Sequence, residues 1–247
     1  MSEQPEHGVA APRAHLIWDL DGTLVDSRQD LAASVNSSLA ARGFERLSVD
    51  TVVSFIGDGT EALVARSIQA AGGPSSALPA VLGAFEQHYG CHLLDATKFY
   101  AGIPEVLDLA VRMNVELSVL TNKKAAYSEA ILEGLGYAGG FGRILGGDSP
   151  WGLKPAPAGL RSILVESAVP PERTCMIGDS VVDMATAKAA GIQAAGALWG
   201  FGSERALREA GASRLLQAPN EVVQVLESLS SATARTSSIW EAKVNSI

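Results

Sequence analysis

Short apolar runs alternate with stretches of helical periodicity along most of the 247-residue chain. The runs have the continuous apolar character of strands that are covered on both faces, and helices separate them. Repetition of strand, helix and strand predicts a doubly wound, Rossmann-like α/β fold with a parallel sheet. The predicted strands are 15–18, 115–120, 143–145, 174–177 and 192–198. Two core helices are indicated by Ile103, Val106, Leu107, Ala110 and Val111, and by Leu160, Ile163 and Leu164.

About ninety residues separate the first predicted strand from the second, which is too long for an ordinary crossover connection. This segment reads as successive helices, so it predicts an inserted α-helical domain. We therefore expect a Rossmann-like core at 14–25 and 101–228, a helical insertion at 26–100, and flexible tails at 1–13 and 229–247. The apolar stripes of the insertion are Leu31, Val35 and Leu39; Leu63, Val64 and Ile68; and Leu78, Val81, Leu82, Phe85 and Tyr89.

The composition argues against several classes of partner. Nineteen Lys and Arg against 27 Asp and Glu give a net charge of −8, which offers no basic surface for nucleic acid or an acidic membrane. The longest uncharged run, 67–85, is broken by a Gly-Gly-Pro turn and by Pro79, so it predicts no membrane span. Residues 1–13 lack the basic start and apolar core of a signal peptide. We expect a cytoplasmic monomer or homodimer that acts on a small molecule, with Cys91 and Cys175 as buried free thiols.

Polar groups follow the predicted strands at the edge of the sheet where ligands of open α/β folds bind. The first strand ends in 19–23, Asp-Leu-Asp-Gly-Thr, which places two carboxylates at a glycine turn. The second strand is followed by Thr121, and Lys154 precedes a helix. Asp179 and Asp183 follow the fourth strand. The sequence thus predicts one lysine and several acids at a single sheet edge.

These four segments resemble, in order and in spacing, the haloacid dehalogenase superfamily of phosphotransferases, and the resemblance extends from His15 to about Leu226. It implies that Asp19 is the nucleophile that forms an aspartyl phosphate. It also implies that Asp21 protonates the leaving oxygen and then deprotonates the attacking water. The expected substrate is a small-molecule phosphate ester.

The resemblance assigns the phosphate-binding groups as well. Thr121 and the backbone amides of Asn122 and Gly22 are expected to hold the phosphoryl oxygens. Lys154 is expected to offset negative charge on Asp19 and on the phosphoryl group.

A cluster of acids at one edge is tolerable mainly when a hard cation neutralises it, and Mg²⁺ prefers oxygen ligands. By the family pattern, Asp19 and Asp179 bind Mg²⁺ through their side chains and Asp21 binds it through its carbonyl. Asp183 is the fourth residue of this metal set, and we expect it to orient a metal-bound water or the Lys154 ammonium.

Other residues distinguish the branches of the superfamily. Asp21 argues against dehalogenases, because a halide needs no proton. The absence of lysine from 26–97 argues against a cap that forms a Schiff base. The Gly-Asp-Gly loop at Gly57 and Gly59 resembles the phosphoglycolate phosphatase branch, in which the helical insertion is a cap over the site. Its amides, with Arg66 on the same predicted helix, are expected to receive a substrate carboxylate.

Alternatives remain open at this stage. The loop at Gly57 fits a plain glycine-rich turn almost as well. Sugar-phosphate phosphatases or mutases, nucleotidases and pyrophosphatases share most of the core residues, and a non-catalytic relative that kept the fold would share them too. The prediction is therefore a Mg²⁺-dependent phosphatase of small monoesters, with the substrate still to be decided.

Overall fold

The computed structural model describes residues 14–137, 139–167 and 169–229. Within them, six parallel strands form one sheet in the order β5-β4-β1-β6-β7-β8, and β2 and β3 form a two-stranded antiparallel ribbon. The strands are β1 (Ala14–Trp18), β2 (Val25–Asp26), β3 (Lys98–Phe99), β4 (Val115–Leu120), β5 (Arg143–Leu145), β6 (Thr174–Gly178), β7 (Gln193–Ala197) and β8 (Arg214–Leu216).

Helices cover both faces of the sheet and also form a separate layer. The helices are α1 (Arg28–Ala40), α2 (Val49–Val53), α3 (Thr60–Ala70), α4 (Leu78–Cys91), α5 (Ile103–Arg112), α6 (Ala125–Gly134), α7 (Ala158–Glu166), α8 (Val181–Ala190) and α9 (Glu204–Glu209), and residues 222–229 are also helical. Among the described residues, no helix combines the length and the apolar character that crossing a membrane requires.

The central strand β1 is buried on both faces. Leu16 and Trp18 pack in a core with α5, α6 and helix 222–229, whereas Ile17 packs in a second core with α7, α8 and α9. Successive side chains of a strand point to opposite faces, so an apolar run fills both cores at once. This explains why β1 carries no alternation of apolar and polar residues.

Helices α1 to α4 form a third apolar core of their own, built from Leu31, Phe85 and their neighbours. The ribbon of β2 and β3 lies where the chain enters and leaves these helices, since Val25 pairs with Phe99 and Asp26 with Lys98. This two-stranded ribbon therefore connects α1 to α4 with the core, at the carboxyl edge of the large sheet.

The predicted α/β fold with a parallel sheet is confirmed, and each of the five predicted core strands occurs within one residue of its expected ends. The edge strand β8 and the two-residue ribbon strands were not predicted. The ribbon strands have only two residues each, too few for a periodic pattern, and β8 begins with the exposed Arg214 and buries only Leu216.

Two details of burial were wrong. Val111 is 53% exposed, because it lies at the margin of the α5 stripe that Ile103, Leu107 and Ala110 bury. Cys91 is exposed whereas Cys175 is buried, and both are free thiols. Cys91 ends α4 two residues after the buried Tyr89, and that spacing turns it to the opposite side of the helix.

The predicted tails lie outside the described residues, with Leu229 as the exception. Leu229 is fully buried and helical.

Candidate active site

The site begins where β1 ends, at the centre of the sheet between β4 and β6. The Asp19 amide donates a hydrogen bond to the Ile177 carbonyl at 2.9 Å, which holds this carboxylate against the end of β6. Gly22 has a φ of 83°, and a Cβ on it would lie closer than 3.0 Å to Asp179. Only glycine therefore allows the turn after Asp19 to pass this close to the acidic cluster.

Lys154 connects two of the predicted acids. Its Nζ lies 2.8 Å from Asp19 Oδ1 and 2.6 Å from Asp183 Oδ1, and all three residues are buried. Burial by itself would lower the pKa of Lys154, but the charges of Asp183 and Asp19 raise it above its ordinary value. The lysine therefore remains an ammonium that offsets part of the negative charge.

Asp183 has hydrogen-bond donors at both carboxylate oxygens. Oδ1 accepts from Lys154, and Oδ2 accepts from the Ser180 amide at 3.0 Å and from its hydroxyl at 2.6 Å. The Ser180 hydroxyl also caps α8 by accepting from the Asp183 amide, which completes a capping box. Asp183 therefore binds the Lys154 ammonium directly, and its predicted role in orienting that ammonium or a metal-bound water stays a prediction.

Asp179 is fixed by the loop that follows β7. Its Oδ2 accepts from the Phe201 amide at 2.7 Å, and its Oδ1 accepts from the Thr23 hydroxyl at 3.2 Å. The Trp199 indole nitrogen donates to the Thr23 carbonyl at 2.9 Å, so this loop also holds the turn that follows Asp19.

The three buried acids Asp19, Asp179 and Asp183 offer carboxylate oxygens that all lie within 4.8 Å of one another. Burial, followed by repulsion from Asp19 and Asp183, raises the pKa of Asp179 to about 8. Burial also raises the pKa of Asp19 to about 6, although Lys154 opposes this rise. A single ammonium does not balance three carboxylates, and the ligand atoms are all oxygen, so the residues present fit a hard divalent cation such as Mg²⁺.

Thr121 and Asn122 follow β4 beside these acids. Thr121 is buried, and its amide donates to the Leu145 carbonyl at 3.0 Å. The Asn122 side chain accepts from the Lys154 amide at 2.7 Å and donates to the Lys154 carbonyl at 3.0 Å. The Gly22 amide donates to the Val25 carbonyl at 2.9 Å, so in this arrangement it is committed to its own turn. Asn122 thus positions the backbone of Lys154, a role that sequence reasoning missed.

The loop at 57–59 lies directly over this edge. Asn122 Nδ2 donates to the Gly57 carbonyl at 2.8 Å, and Gly59 begins α3 with a φ of 90°. Arg66 forms an ion pair with Asp58 at 2.5 Å and donates to the Phe55 carbonyl, and it is 42% exposed. The Arg66 guanidinium therefore offsets the charge of Asp58. Its hydrogen bond to the Phe55 carbonyl fixes the loop on its solvent-exposed side.

A cavity of about 240 Å³ separates the sheet edge from α1 to α4. It brings Asp19, Asp21, Asp179, Thr121 and Asn122 together, whereas Arg66 is not part of its lining. Its residues are Asp19, Asp21, Leu31, Val53, Ser54, Ile56, Gly57, Gly59, Thr60, Leu63, Phe85, Tyr89, Thr121, Asn122, Lys123, Asp179, Ser180, Val181, Phe201, Gly202, Ala206 and Leu207.

Asp21 has partners that the sequence did not reveal. Its Oδ2 lies 2.9 Å from Lys123 Nζ, and its Oδ1 accepts from the Ser27 hydroxyl at 2.5 Å. Lys123 also donates to the Tyr89 hydroxyl on α4. The only signal available for Lys123 was its position two residues after Thr121, which does not distinguish a buried lysine from an exposed one.

A model of the haloacid dehalogenase-like hydrolase family matches residues 16–197. The chain therefore belongs to this family, as its motifs indicated, and it is a hydrolase with the family's Rossmann-like core.

Within this family, the chain is similar in sequence to two phosphoglycolate phosphatases. The chain is 36% identical over 199 residues to a phosphoglycolate phosphatase of Rhodospirillum rubrum, an alignment that covers 78% of this chain and 82% of that protein. It is 33% identical over 231 residues to phosphoglycolate phosphatase 1 of Pseudomonas aeruginosa, with 92% of this chain and 81% of that protein covered.

The fold of this chain is also similar to that of solved structures. A crystal structure described as a predicted phosphoglycolate phosphatase from Haemophilus somnus superposes with a TM-score of 0.81 at 26% identity and covers 88% of this chain and 99% of that one. The predicted likeness to the phosphoglycolate phosphatase branch, and with it an enzyme of the phosphoric monoester hydrolase type, is confirmed.

Proposed function

We propose that this protein is a Mg²⁺-dependent phosphatase that hydrolyses a small, carboxylated phosphate monoester of the phosphoglycolate type through an aspartyl phosphate. The observation that carries the proposal is the placement of Asp19 and Asp21 in one cavity with different partners. Asp19 is held by Lys154 at the acidic cluster, whereas Asp21 faces the helical layer beside Lys123 and Ser27. Two carboxylates in different surroundings are suited to two different roles.

In the first step, a carboxylate oxygen of Asp19 attacks phosphorus, and the bond between phosphorus and the leaving oxygen breaks. Asp21 gives its proton to that leaving oxygen, because an alkoxide is a poor leaving group unless it is protonated. The products of this step are the free alcohol and a phosphorylated Asp19.

In the second step, water attacks the phosphorus of the aspartyl phosphate. Asp21, now ionised, takes a proton from that water while the bond between phosphorus and Asp19 breaks. Inorganic phosphate leaves and both carboxyl groups return to their starting states.

The positive groups of the site supply electrostatic stabilisation. Lys154 lies 2.8 Å from Asp19, so it is placed to offset charge that develops on the nucleophile and on the phosphoryl oxygens. Asp19, Asp179 and the Asp21 carbonyl would hold Mg²⁺, with Asp183 behind them, and the cation would neutralise the remaining negative charge of acids and phosphate. Thr121 and the Asn122 amide are the proposed hydrogen-bond donors to phosphoryl oxygens.

The helical layer α1 to α4 serves in this proposal as the cap, with 26–100 as its extent. The loop at Gly57 and Gly59 approaches the core through Asn122, which supports a role in closing the cavity. A space of about 240 Å³ accommodates a small organic phosphate and excludes bulk water. We therefore propose that long nucleotides are poor substrates.

The test is a panel of phosphate esters assayed with Mg²⁺ and with excess EDTA. We expect phosphoglycolate to be turned over only with the metal. Turnover that EDTA leaves unchanged would overturn the metal assignment. Nucleoside monophosphates or pyrophosphate exceeding phosphoglycolate tenfold in kcat/KM, about 1.4 kcal/mol of transition-state binding, would overturn the substrate class.

The nucleophile is tested by Asp19→Asn, which is nearly isosteric but forms no acyl phosphate. We expect activity below about 1% of the wild type, given the several kcal/mol that covalent catalysis supplies. Thermal melting of the variant is the control for folding. A well-folded variant that retains more than about 1% of the wild-type activity would contradict the aspartyl-phosphate route.

A further inference from the structure

Lys123 is a buried lysine next to the proposed reacting groups, and none of the roles assigned above uses it. Its side chain is 5% exposed, and its Nζ lies 2.9 Å from Asp21 Oδ2 and 2.7 Å from the Tyr89 hydroxyl. The ammonium also lies 4.5 Å from the centre of the Tyr89 ring. A buried ammonium is unfavourable unless it is paired, so a lysine in this position needs a reason.

The charges around the cavity identify Lys123 as its cation. Of the described residues that line the cavity, Lys123 is the only lysine or arginine. Lys154 is not in the lining and is already bound to Asp19 and Asp183. Arg66 is also outside the lining and is paired with Asp58. A second anionic group on a bound phosphate ester would therefore meet Lys123 before any other positive side chain of the described cavity.

The position of Lys123 relative to Asp21 shows which part of a substrate it would meet. In the proposed reaction Asp21 touches the leaving oxygen, so Lys123 lies beside the atoms attached to that oxygen. In a 2-phosphocarboxylate a single carbon separates the leaving oxygen from the carboxylate. An ammonium has three N–H donors, and the two described partners, Asp21 and Tyr89, take two of them. The Tyr89 hydroxyl accepts from Lys123 and keeps its own proton to donate.

We propose that Lys123, supported by the Tyr89 hydroxyl of the cap, binds the carboxylate of a 2-phosphocarboxylate substrate and thereby determines specificity. This inference rests on the proposed function and deepens it, because it places carboxylate recognition on the core beside Asp21. The partner on α4 means that the complete carboxylate site exists only when the cap lies over the core.

The experiment compares two phosphate esters that differ in one group. In 2-phosphoglycolate the carbon next to the leaving oxygen carries a carboxylate, and in 2-hydroxyethyl phosphate it carries a neutral CH₂OH. The measured quantity is the ratio of their kcat/KM values. We expect Lys123→Gln to lower this ratio roughly 10- to 100-fold, as for the loss of a charged hydrogen bond. If Lys123 serves only to position Asp21, both substrates lose activity equally and the ratio stays unchanged, which overturns the proposal.

Lys124→Gln is the matched control. Lys124 is the neighbouring lysine, it is 38% exposed, and its Nζ binds Glu86 of the same cap helix at 2.6 Å. The same substitution there should change the ratio less than about twofold, because an exposed ion pair contributes little. A loss of selectivity equal to that of Lys123→Gln would show a nonspecific effect and would overturn the assignment.

Tyr89→Phe keeps the test decisive if Lys123→Gln fails to fold. The ring retains its stacking on Phe85 and its edge contact with Tyr127, so folding is preserved. Loss of the hydroxyl should lower the ratio about 3- to 10-fold. A folded Tyr89→Phe with an unchanged ratio, as judged beside a thermal melt, overturns the proposal when the lysine variant is not folded.

Binding separates this inference from the proposed function. Titration calorimetry of both esters on Asp19→Asn, with and without Lys123→Gln, measures carboxylate recognition without turnover. Selective binding that Lys123→Gln abolishes supports the inference even if the wild type hydrolyses neither ester. Hydrolysis of both esters by the wild type with equal kcat/KM and equal affinity leaves the phosphatase assignment standing and overturns carboxylate recognition.

Discussion

Gly200 lies in the loop after β7, and the structure predicts that adding a single methyl group to it disturbs the acidic cluster of Asp19, Asp179 and Asp183. A Cβ there would lie closer than 3.0 Å to the Gly22 carbonyl oxygen and to two atoms of Asp179. Neither neighbour is a flexible side-chain end. Gly22 belongs to the turn that follows Asp19, and Asp179 is held by hydrogen bonds from Phe201 and Thr23. The methyl group of Gly200→Ala must therefore displace one of them.

The expected loss of stability follows from overpacking a rigid site. Inserted methyl groups in well-packed regions cost about 1–3 kcal/mol. For a chain of this size each kcal/mol lowers Tm by about 2–4 °C, so the melting temperature should fall by roughly 2–12 °C. Because either displacement disturbs the positions of the proposed metal ligands, we also expect the Mg²⁺ concentration for half-maximal activity to rise roughly 10- to 100-fold.

Gly83→Ala is the control for the same chemical change in open space. Gly83 lies within α4, and a Cβ there would meet no atom within 4 Å. Alanine in a helix is favoured over glycine by about 0.5–1 kcal/mol, so this variant should melt slightly higher than the wild type and keep its metal requirement. Differential scanning calorimetry and Mg²⁺ titration of activity measure both quantities. If Gly200→Ala melts like the wild type and needs no more Mg²⁺, the steric argument is wrong.

Three further substitutions test other parts of the site. Asp21→Asn should abolish first-step cleavage of alkyl phosphates but retain a single-turnover burst of p-nitrophenol from p-nitrophenyl phosphate, whose leaving group needs no proton, while the second step becomes slow for both esters. Ser180→Ala removes the α8 cap and one donor to the buried Asp183, so unfolding free energy should fall by about 0.5–2 kcal/mol and kcat should decrease. Gly59→Val should raise KM for phosphoglycolate far more than for p-nitrophenyl phosphate, since Gly59 has a φ of 90° and a Cβ added there would lie 3.4 Å from Leu153 Cδ1.

Each of these has an outcome that contradicts it. Equal losses of first-step cleavage on both esters would remove the acid role of Asp21. Ser203→Ala is the matched cap variant, because the Ser203 hydroxyl caps α9 by accepting from the Ala206 amide at 3.3 Å. It should lose a similar amount of stability and keep its kcat, and equal kcat losses in both serine variants would refute the link through Asp183. An unchanged KM in a folded Gly59→Val would show that the loop does not approach the substrate.

Local residue patterns were sufficient to predict five strands of the sheet and the polar segments that follow them. Runs such as 115–120 are buried on both faces, so their apolar character is a local signal that survives without knowledge of the partner strands. Because the carboxyl ends of parallel strands share one edge, the positions of Asp19, Thr121 and Asp179 after their strands were enough to bring them together.

The side chains that contact these site residues become apparent only in the tertiary structure. Lys123 and Tyr89 are 34 residues apart, and their hydrogen bond exists only because α4 is folded over the end of β4. Nothing in the sequence distinguishes this lysine from its exposed neighbour Lys124, since burial of a charged side chain depends on what packs around it. Arg66 was predicted to face the substrate, but it pairs with Asp58 and lies outside the cavity lining. Local apolar patterns are encoded residue by residue, whereas the partner of a charge is set by distant segments that meet only in the fold.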